Sequence, residues 1–354
     1  MTSRLGCSST LLFSFLAVTP YLQAQASQPS DTLQNARALV AANHFEQANE
    51  ILSTLVAADP KNLPAWQQLG EVQLAQSLDD DAMDSFEAIL KAEPESSQAR
   101  AGELRAAIAA ALADRAAGNS DRALACLLRA KGYVPQSPEL LIAFGIQADS
   151  MQVYKDADEA LSEALGLEPQ NEKALYALAH VELDEQKTDK AEDHLRTYLK
   201  IRPEDATAHY GLGHLLHMMS KDEEAKAELD RSIALQPHQT ESYYELGQIA
   251  LDAQNDAAAK DAYTRVLASA PNHGGALAGM GVLAFRAKDY AAAETYLKQA
   301  VLYAPDYITA HRYYGMTLAR LGQAEQSREE LAFAQRLTEQ QSKLRHGYAL
   351  TPIQ

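Results

Sequence analysis

A proline returns every 34 residues along most of this chain. Pro60 and Pro94 open the series, and Pro135, Pro169, Pro203, Pro237, Pro271 and Pro305 continue it. Only the step from Pro94 to Pro135 departs, at 41 residues. An alanine runs in phase twelve residues ahead of each proline: Ala48, Ala82, Ala123, Ala157, Ala191, Ala225, Ala259 and Ala293. Four residues after each alanine stands a bulky apolar side chain: Leu52, Phe86, Leu127, Leu161, Leu195, Leu229, Tyr263 and Leu297. Residues four apart share one face of a helix. A fixed period of this length means stacked supersecondary units, each burying its apolar face against the next.

Each unit reads as two helices. With the unit ending two residues after its proline, repeats start near 29, 63, 104, 138, 172, 206, 240, 274 and 308. The first half carries Trp66-x-x-Leu69-Gly70, matched by His209-x-x-Leu212-Gly213 and Tyr243-x-x-Leu246-Gly247. The bulky residue and the leucine lie three apart on one face, and the glycine admits a neighbouring helix. A polar break follows, as at Gly118-Asn119, Gln254-Asn255 and Gly322-Gln323. The second half carries the alanine, and the proline ends it.

The pattern W-x2-L-G…A-x3-F…P on a 34-residue period resembles the tetratricopeptide repeat (TPR), over residues 29–341. The resemblance implies an all-α, right-handed superhelical solenoid of about nine helix-turn-helix repeats. It also implies that first helices line a concave groove through their positions 2, 5, 9, 12 and 13, with second helices outside. Residues 29–96 hold repeats 1 and 2, and residues 138–341 hold repeats 4–9. Repeat 3, in 97–137, is seven residues too long, about two helical turns. Its alanine-rich 98–117 run predicts one long first helix. Repeat 9 has Glu339 where the proline would stand, with Glu329, Glu330, Arg336 and Gln340 nearby. It reads as a polar terminal cap, and 342–354 reads as a loose tail.

Residues 1–26 have the layout of a secretory signal peptide. Arg4 precedes the apolar run Leu11–Val18, and Ala24-Gln25-Ala26 supplies small residues before a cleavage point. The expected location is therefore outside the cytoplasm: the periplasm of a Gram-negative bacterium first, secretion second. The run is too short to span a bilayer, and no later stretch is long and apolar enough. The chain carries 31 basic and 48 acidic residues, a net charge of −17. That balance argues against nucleic acid and against an anionic membrane surface. Without the leader one cysteine remains, Cys126, which cannot form an internal disulfide and suits buried filling.

The repeats leave no room for a separate catalytic domain. His214-x-x-His217 lacks the glutamate and spacing of a zinc-protease helix. His180, His214 and His217 are a conceivable trio of metal ligands, but no metal, cofactor or enzymatic activity is predicted. Function is expected in the groove. Position 5 holds Tyr176, Tyr210 and Tyr244, position 9 holds His180 and His214, and position 12 of repeat 6 holds His217. Tyrosine brings contact area and a hydroxyl at modest entropic cost. Arg286, Arg312 and Arg320 fall at positions 13, 5 and 13 of repeats 8 and 9, a basic patch suited to carboxylates. The predicted function is a scaffold or adaptor of the cell envelope that takes a peptide or partner helix. The rival is a carbohydrate-binding or polysaccharide-export component, with tyrosines stacking on sugars. Gly274, Gly275, Gly279 and Gly281 mark the first helix of repeat 8 as the softest interior unit.

Overall fold

The computed structural model of the protein describes residues 29–347. Among these residues there are eighteen helices and no strand, so nine helix pairs stand where nine repeats were expected. The chain divides into two compact units, Met1–Ala109 and Ala110–Gln354, and the division falls inside the fifth helix.

The first unit holds α1 (Pro29–Ala41), α2 (Phe45–Ala58), α3 (Leu63–Ala75), α4 (Asp79–Ala92) and the start of α5 (Ser97–Ala116). Its core gathers Ala36, Ala48, Leu52, Leu55, Val56, Ala65, Leu69 and Val72. The twenty residues of α5 occupy the stretch where the long repeat predicted one extended helix.

The second unit continues with α6 (Ser120–Lys131), α7 (Pro138–Ser150), α8 (Tyr154–Leu167), α9 (Glu172–Asp184), α10 (Thr188–Ile201) and α11 (Ala206–Met218). Then come α12 (Asp222–Leu235), α13 (Thr240–Asp252), α14 (Asp256–Ser269), α15 (Gly274–Arg286), α16 (Tyr290–Tyr303), α17 (Ile308–Arg320) and α18 (Ala324–Gly347). Helix α18 runs six residues past Gln341, into the segment read as a tail. The proposed leader lies outside the described residues. Cys126 is buried on α6.

The periodic residues explain the pairs. All eight alanines of the series are 0% exposed, because a larger side chain would push the two helices of a pair apart. In repeat 9 the position is Ser327, whose hydroxyl donates to the Gly315 carbonyl at 2.7 Å. The glycine at the eighth position of a first helix (Gly70, Gly145, Gly213, Gly247, Gly281 and Gly315) faces the bulky residue of its own second helix. A Cβ on Gly145, Gly213 or Gly281 would stand 2.4–2.7 Å from Leu161, Leu229 or Leu297. Each proline but one sits two residues past the second helix, after one cap residue such as Glu168 or Arg202; Pro135 stands four residues past the end of α6. At Pro60, Pro203 and Pro305 the carbonyl meets a ring nitrogen from the next first helix. Trp66 Nε1 donates to Pro60 O at 3.0 Å. The ring Nε2 atoms of His209 and His311 stand 3.1 and 2.8 Å from Pro203 O and Pro305 O.

The turn inside each pair repeats as faithfully. Asn43, Ser77, Gly118, Gln152, Gln186, Ser220, Gln254, Lys288 and Gly322 all have positive φ, between 57° and 80°. The next residue's N–H reaches back to a carbonyl five residues earlier, as from His44 to Leu39 (2.9 Å) and from Lys187 to Glu182 (2.7 Å). This is the Schellman closure, which satisfies carbonyls left over at a helix end.

The four glycines of repeat 8 are packing sockets. Tyr263, 0% exposed, lies between Gly247 and Gly279, whose added Cβ atoms would fall 2.5 and 2.3 Å from its ring. Phe86 sits likewise between Gly70 and Gly102. Where the second helix carries an aromatic ring rather than leucine, the following first helix supplies a second glycine. Gly275 accommodates Tyr244, Gly281 accommodates Leu297, and Gly274 approaches Ala304. The expected softness of this repeat therefore has a counterweight: eight of the thirteen residues of α15 are buried.

Candidate functional site: the first-helix wall of repeats 4 to 9

Within the second unit, α7 touches α9, α11 touches α13, α13 touches α15 and α15 touches α17. Consecutive second helices from α8 to α16 do not approach one another as closely. Except between α9 and α11, first helices therefore meet one another more closely than second helices do, on the side that the tetratricopeptide resemblance assigns to the groove. Groove residues must be sought there.

Tyr176 projects from α9, exposed, with its ring 5.2 Å from that of Tyr198 on α10. Burial pushes its phenol up, and Asp205 adds to the effect. One turn on, His180 Nδ1 lies 3.1 Å from Asp149 Oδ2 on α7 and 3.9 Å from Asp184 Oδ2 on its own helix. Burial raises the Asp149 carboxyl above the usual range. His180 opposes the rise, and Asp184 adds to it.

Tyr210, on α11, is partly buried, and burial followed by Glu245 and Glu241 pushes its phenol up to about 12. Its ring stacks on His214 at 6.2 Å. His214 Nδ1 stands 3.0 Å from Glu245 Oε1 on α13. That hydrogen bond holds the imidazole pKa above its ordinary value, against the opposing effect of burial. His217 faces Asp222 Oδ1 through Nδ1 at 2.8 Å and Asp252 Oδ2 through Nε2 at 4.0 Å. The three histidines thus face separate carboxylates and do not form a trio.

Tyr244 is placed differently from the other two tyrosines. Its ring packs 4.7 Å from His273 and 6.3 Å from Tyr263, against the core of repeats 7 and 8. Burial, with Tyr307 next, drives its phenol far above the usual range. Of the arginines, Arg286 is tied down: Nη1 donates to Asp256 Oδ1 at 2.9 Å and to Leu251 O at 3.1 Å. Arg312 is exposed, with its guanidinium 5.7 Å from the Tyr313 ring centroid, and Arg320 is exposed on the last turn of α17.

The carboxylates that meet the histidines are not among the expected site residues: Asp149, Asp184, Asp222, Glu245 and Asp252. Asp149, Asp184 and Asp252 occupy first-helix positions 12 and 13, so the same register that selected the histidines could have found them. No helix among the described residues is long and apolar enough to cross a membrane.

Solved structures with the same fold lie at low identity. The APC/C hetero-tetramer Cut9–Hcn1 aligns over 88% of this chain and 61% of that one, at 15% identity and a TM-score of 0.55. PilF of Pseudomonas aeruginosa aligns over 62% of this chain and 99% of its own, at 21% identity and a TM-score of 0.53. PilW, described as a type IV pilus biogenesis factor, aligns over 56% and 92%, at 21% identity and a TM-score of 0.50. No curated protein sequence matches the chain. Three family models described as tetratricopeptide repeat match it, one at residues 39–108, 152–215 and 182–249, one at 240–273 and one at 278–341. With the 34-residue period and the helix pairs running through those matches, the chain belongs to the tetratricopeptide repeat family.

Proposed function

We propose that the protein is a non-catalytic interaction scaffold of the cell envelope that holds an extended peptide or a partner's helix along the first-helix wall of repeats 5–9. The observation that carries this reading is the pair of tyrosines Tyr176 and Tyr210. They stand at equivalent places on successive inner helices, each with a histidine one turn away. Their rings offer broad apolar contact with a polar rim, the composition of binding hot spots. Further along, Arg312 and Arg320 offer exposed cations to a carboxylate-bearing stretch of the same partner, while Arg286 is engaged within the fold. The location outside the cytoplasm rests on the leader in residues 1–26.

The test is affinity capture from envelope extract with immobilised protein, followed by mass spectrometry. The parent is run beside a Tyr176→Ala/Tyr210→Ala double variant. A protein retained by the parent and lost by the folded double variant supports the reading. Equal retention places the functional surface elsewhere, and a captured polysaccharide would favour the sugar-binding rival.

A further inference from the structure

The inner wall of repeats 4 and 5 gathers a histidine and two aspartates from two helices. Asp149 lies in the last turn of α7, Asp184 is the last residue of α9, and His180 stands one turn before it. One ligand atom from each lies within 4.8 Å of the others. His180 and Asp184 are an i, i+4 pair, which puts both side chains on one face.

Three features mark this as a seat for a cation. First, both carboxylates sit at helix C-termini, where unpaired carbonyls already concentrate negative charge. A carboxylate there is destabilised until a cation joins it. Second, no lysine or arginine among the described residues forms an ion pair with Asp149 or Asp184; His180 alone faces them. Third, the remaining oxygen of Asp149, Oδ1, is shut off from solvent and has no hydrogen-bond partner. An ordinary surface pair of histidine and aspartate would not strand an oxygen in this way.

We propose that Asp149, His180 and Asp184 form a three-ligand site for a divalent transition-metal ion of the Zn²⁺ type on the inner wall. Zinc takes nitrogen and oxygen ligands at about 2.0–2.2 Å, so two ligands of a tetrahedral ion stand about 3.4 Å apart. The observed 3.1 and 3.9 Å separations from His180 Nδ1 bracket that spacing. One imidazole with two carboxylates suits a borderline cation better than Ca²⁺ or Mg²⁺, which favour all-oxygen sets. The half-exposed setting (His180 57%, Asp184 41%) leaves the remaining coordination positions open to water or to an incoming side chain. The site involves none of the tyrosines or arginines assigned to partner binding. It shares His180 with the wall proposed for partner binding, but zinc binding is read without any partner, so the failure of one reading is distinguishable from the failure of the other.

Titration calorimetry of the tag-free protein with Zn²⁺, and visible absorption with Co²⁺, tests the site. One ion per chain should bind, with Co²⁺ bands of a nitrogen–oxygen environment. Asp149→Asn, His180→Ala and Asp184→Asn should each weaken binding at least about tenfold. His217→Ala, which removes a different wall histidine, should leave it unchanged. Circular dichroism checks that each variant keeps the parent's helix content. The absence of saturable binding overturns the proposal. So does binding that survives the three substitutions, or that is lost in His217→Ala.

Discussion

Adding a methyl group to a helix-interior glycine usually stabilises it, by about 0.5–1 kcal/mol. Gly279→Ala should do the reverse. The new Cβ would stand 2.3 Å from Cε2 of Tyr263, well inside contact distance, and that ring is 0% exposed. The ring cannot swing aside, because Gly247 closes its other face and its hydroxyl is bonded to Gln248. Overpacking of this kind costs about 1–3 kcal/mol. Set against the helix gain, the net loss is up to about 2.5 kcal/mol, with a midpoint of about 1 kcal/mol. Gly211→Ala is the matched control, since nothing lies within 4 Å of its added Cβ; it should stabilise by about 0.5–1 kcal/mol. The decisive variant restores the leucine that most other repeats carry. In a Tyr263→Leu background Gly279→Ala should lose its penalty, a coupling of about 1–3 kcal/mol. Urea unfolding by circular dichroism gives the overall effect, and amide exchange in α13–α15 localises it, because repeat arrays open locally. If Gly279→Ala behaves like Gly211→Ala, or if Tyr263→Leu leaves its penalty intact, the socket reasoning is wrong.

Other outcomes follow from the same structure. Gln186 holds a φ of 61° at a turn where Gly118 and Gly322 serve elsewhere, so Gln186→Gly should raise stability by about 0.5–1 kcal/mol in a denaturant titration. His214 has a folded pKa raised above its ordinary 6.5, so its bond to Glu245 contributes fully below 6.5 and fades as pH climbs through the folded value. The melting-temperature gap between parent and His214→Gln should therefore be widest near pH 5.5–6 and narrow above it; a gap that widens with pH contradicts the assignment. Once a partner is in hand, Arg312→Ala should flatten the salt dependence of binding, whereas Tyr210→Ala should weaken binding with little change in that dependence. Asp230→Ala, an exposed change on the outer helix α12, should do neither.

Much of the fold is written in the period. Alanine, bulky residue and proline at fixed offsets specify which faces meet, and the alanines are uniformly buried. The turn chirality is harder to read. Only Gly118 and Gly322 announce a left-handed residue; Gln, Ser, Asn and Lys fill the same place at the other seven turns. There the Schellman hydrogen bonds and pair packing outweigh local preference. The wall is legible as a register but not residue by residue. Tyr176, Tyr210 and Tyr244 share a sequence position, and Tyr210 and Tyr244 both pack against a repeat core, yet only the third is seated on a glycine of the following repeat. The reason lies one repeat on: Thr207 and Glu241 occupy the place that becomes Gly275 beside Tyr244, and a Cβ there would touch its hydroxyl at 2.6 Å. Arg286 is likewise claimed by Asp256, thirty residues earlier in sequence and adjacent only once the helices stack. Partners of this kind follow from three-dimensional packing, which the one-dimensional period does not contain.

Site-specific photo-crosslinking tests the central claim, that the protein acts through its first-helix wall, most directly. A photoreactive phenylalanine analogue replaces Tyr210 in one protein and Asp230 in another, and each is irradiated in envelope extract. The account predicts a discrete adduct from position 210 that disappears when excess unlabelled parent competes and persists when the folded Tyr176→Ala/Tyr210→Ala variant is used instead. Position 230 should give none. Adducts from position 230 alone, or adducts that both competitors remove equally, would contradict it.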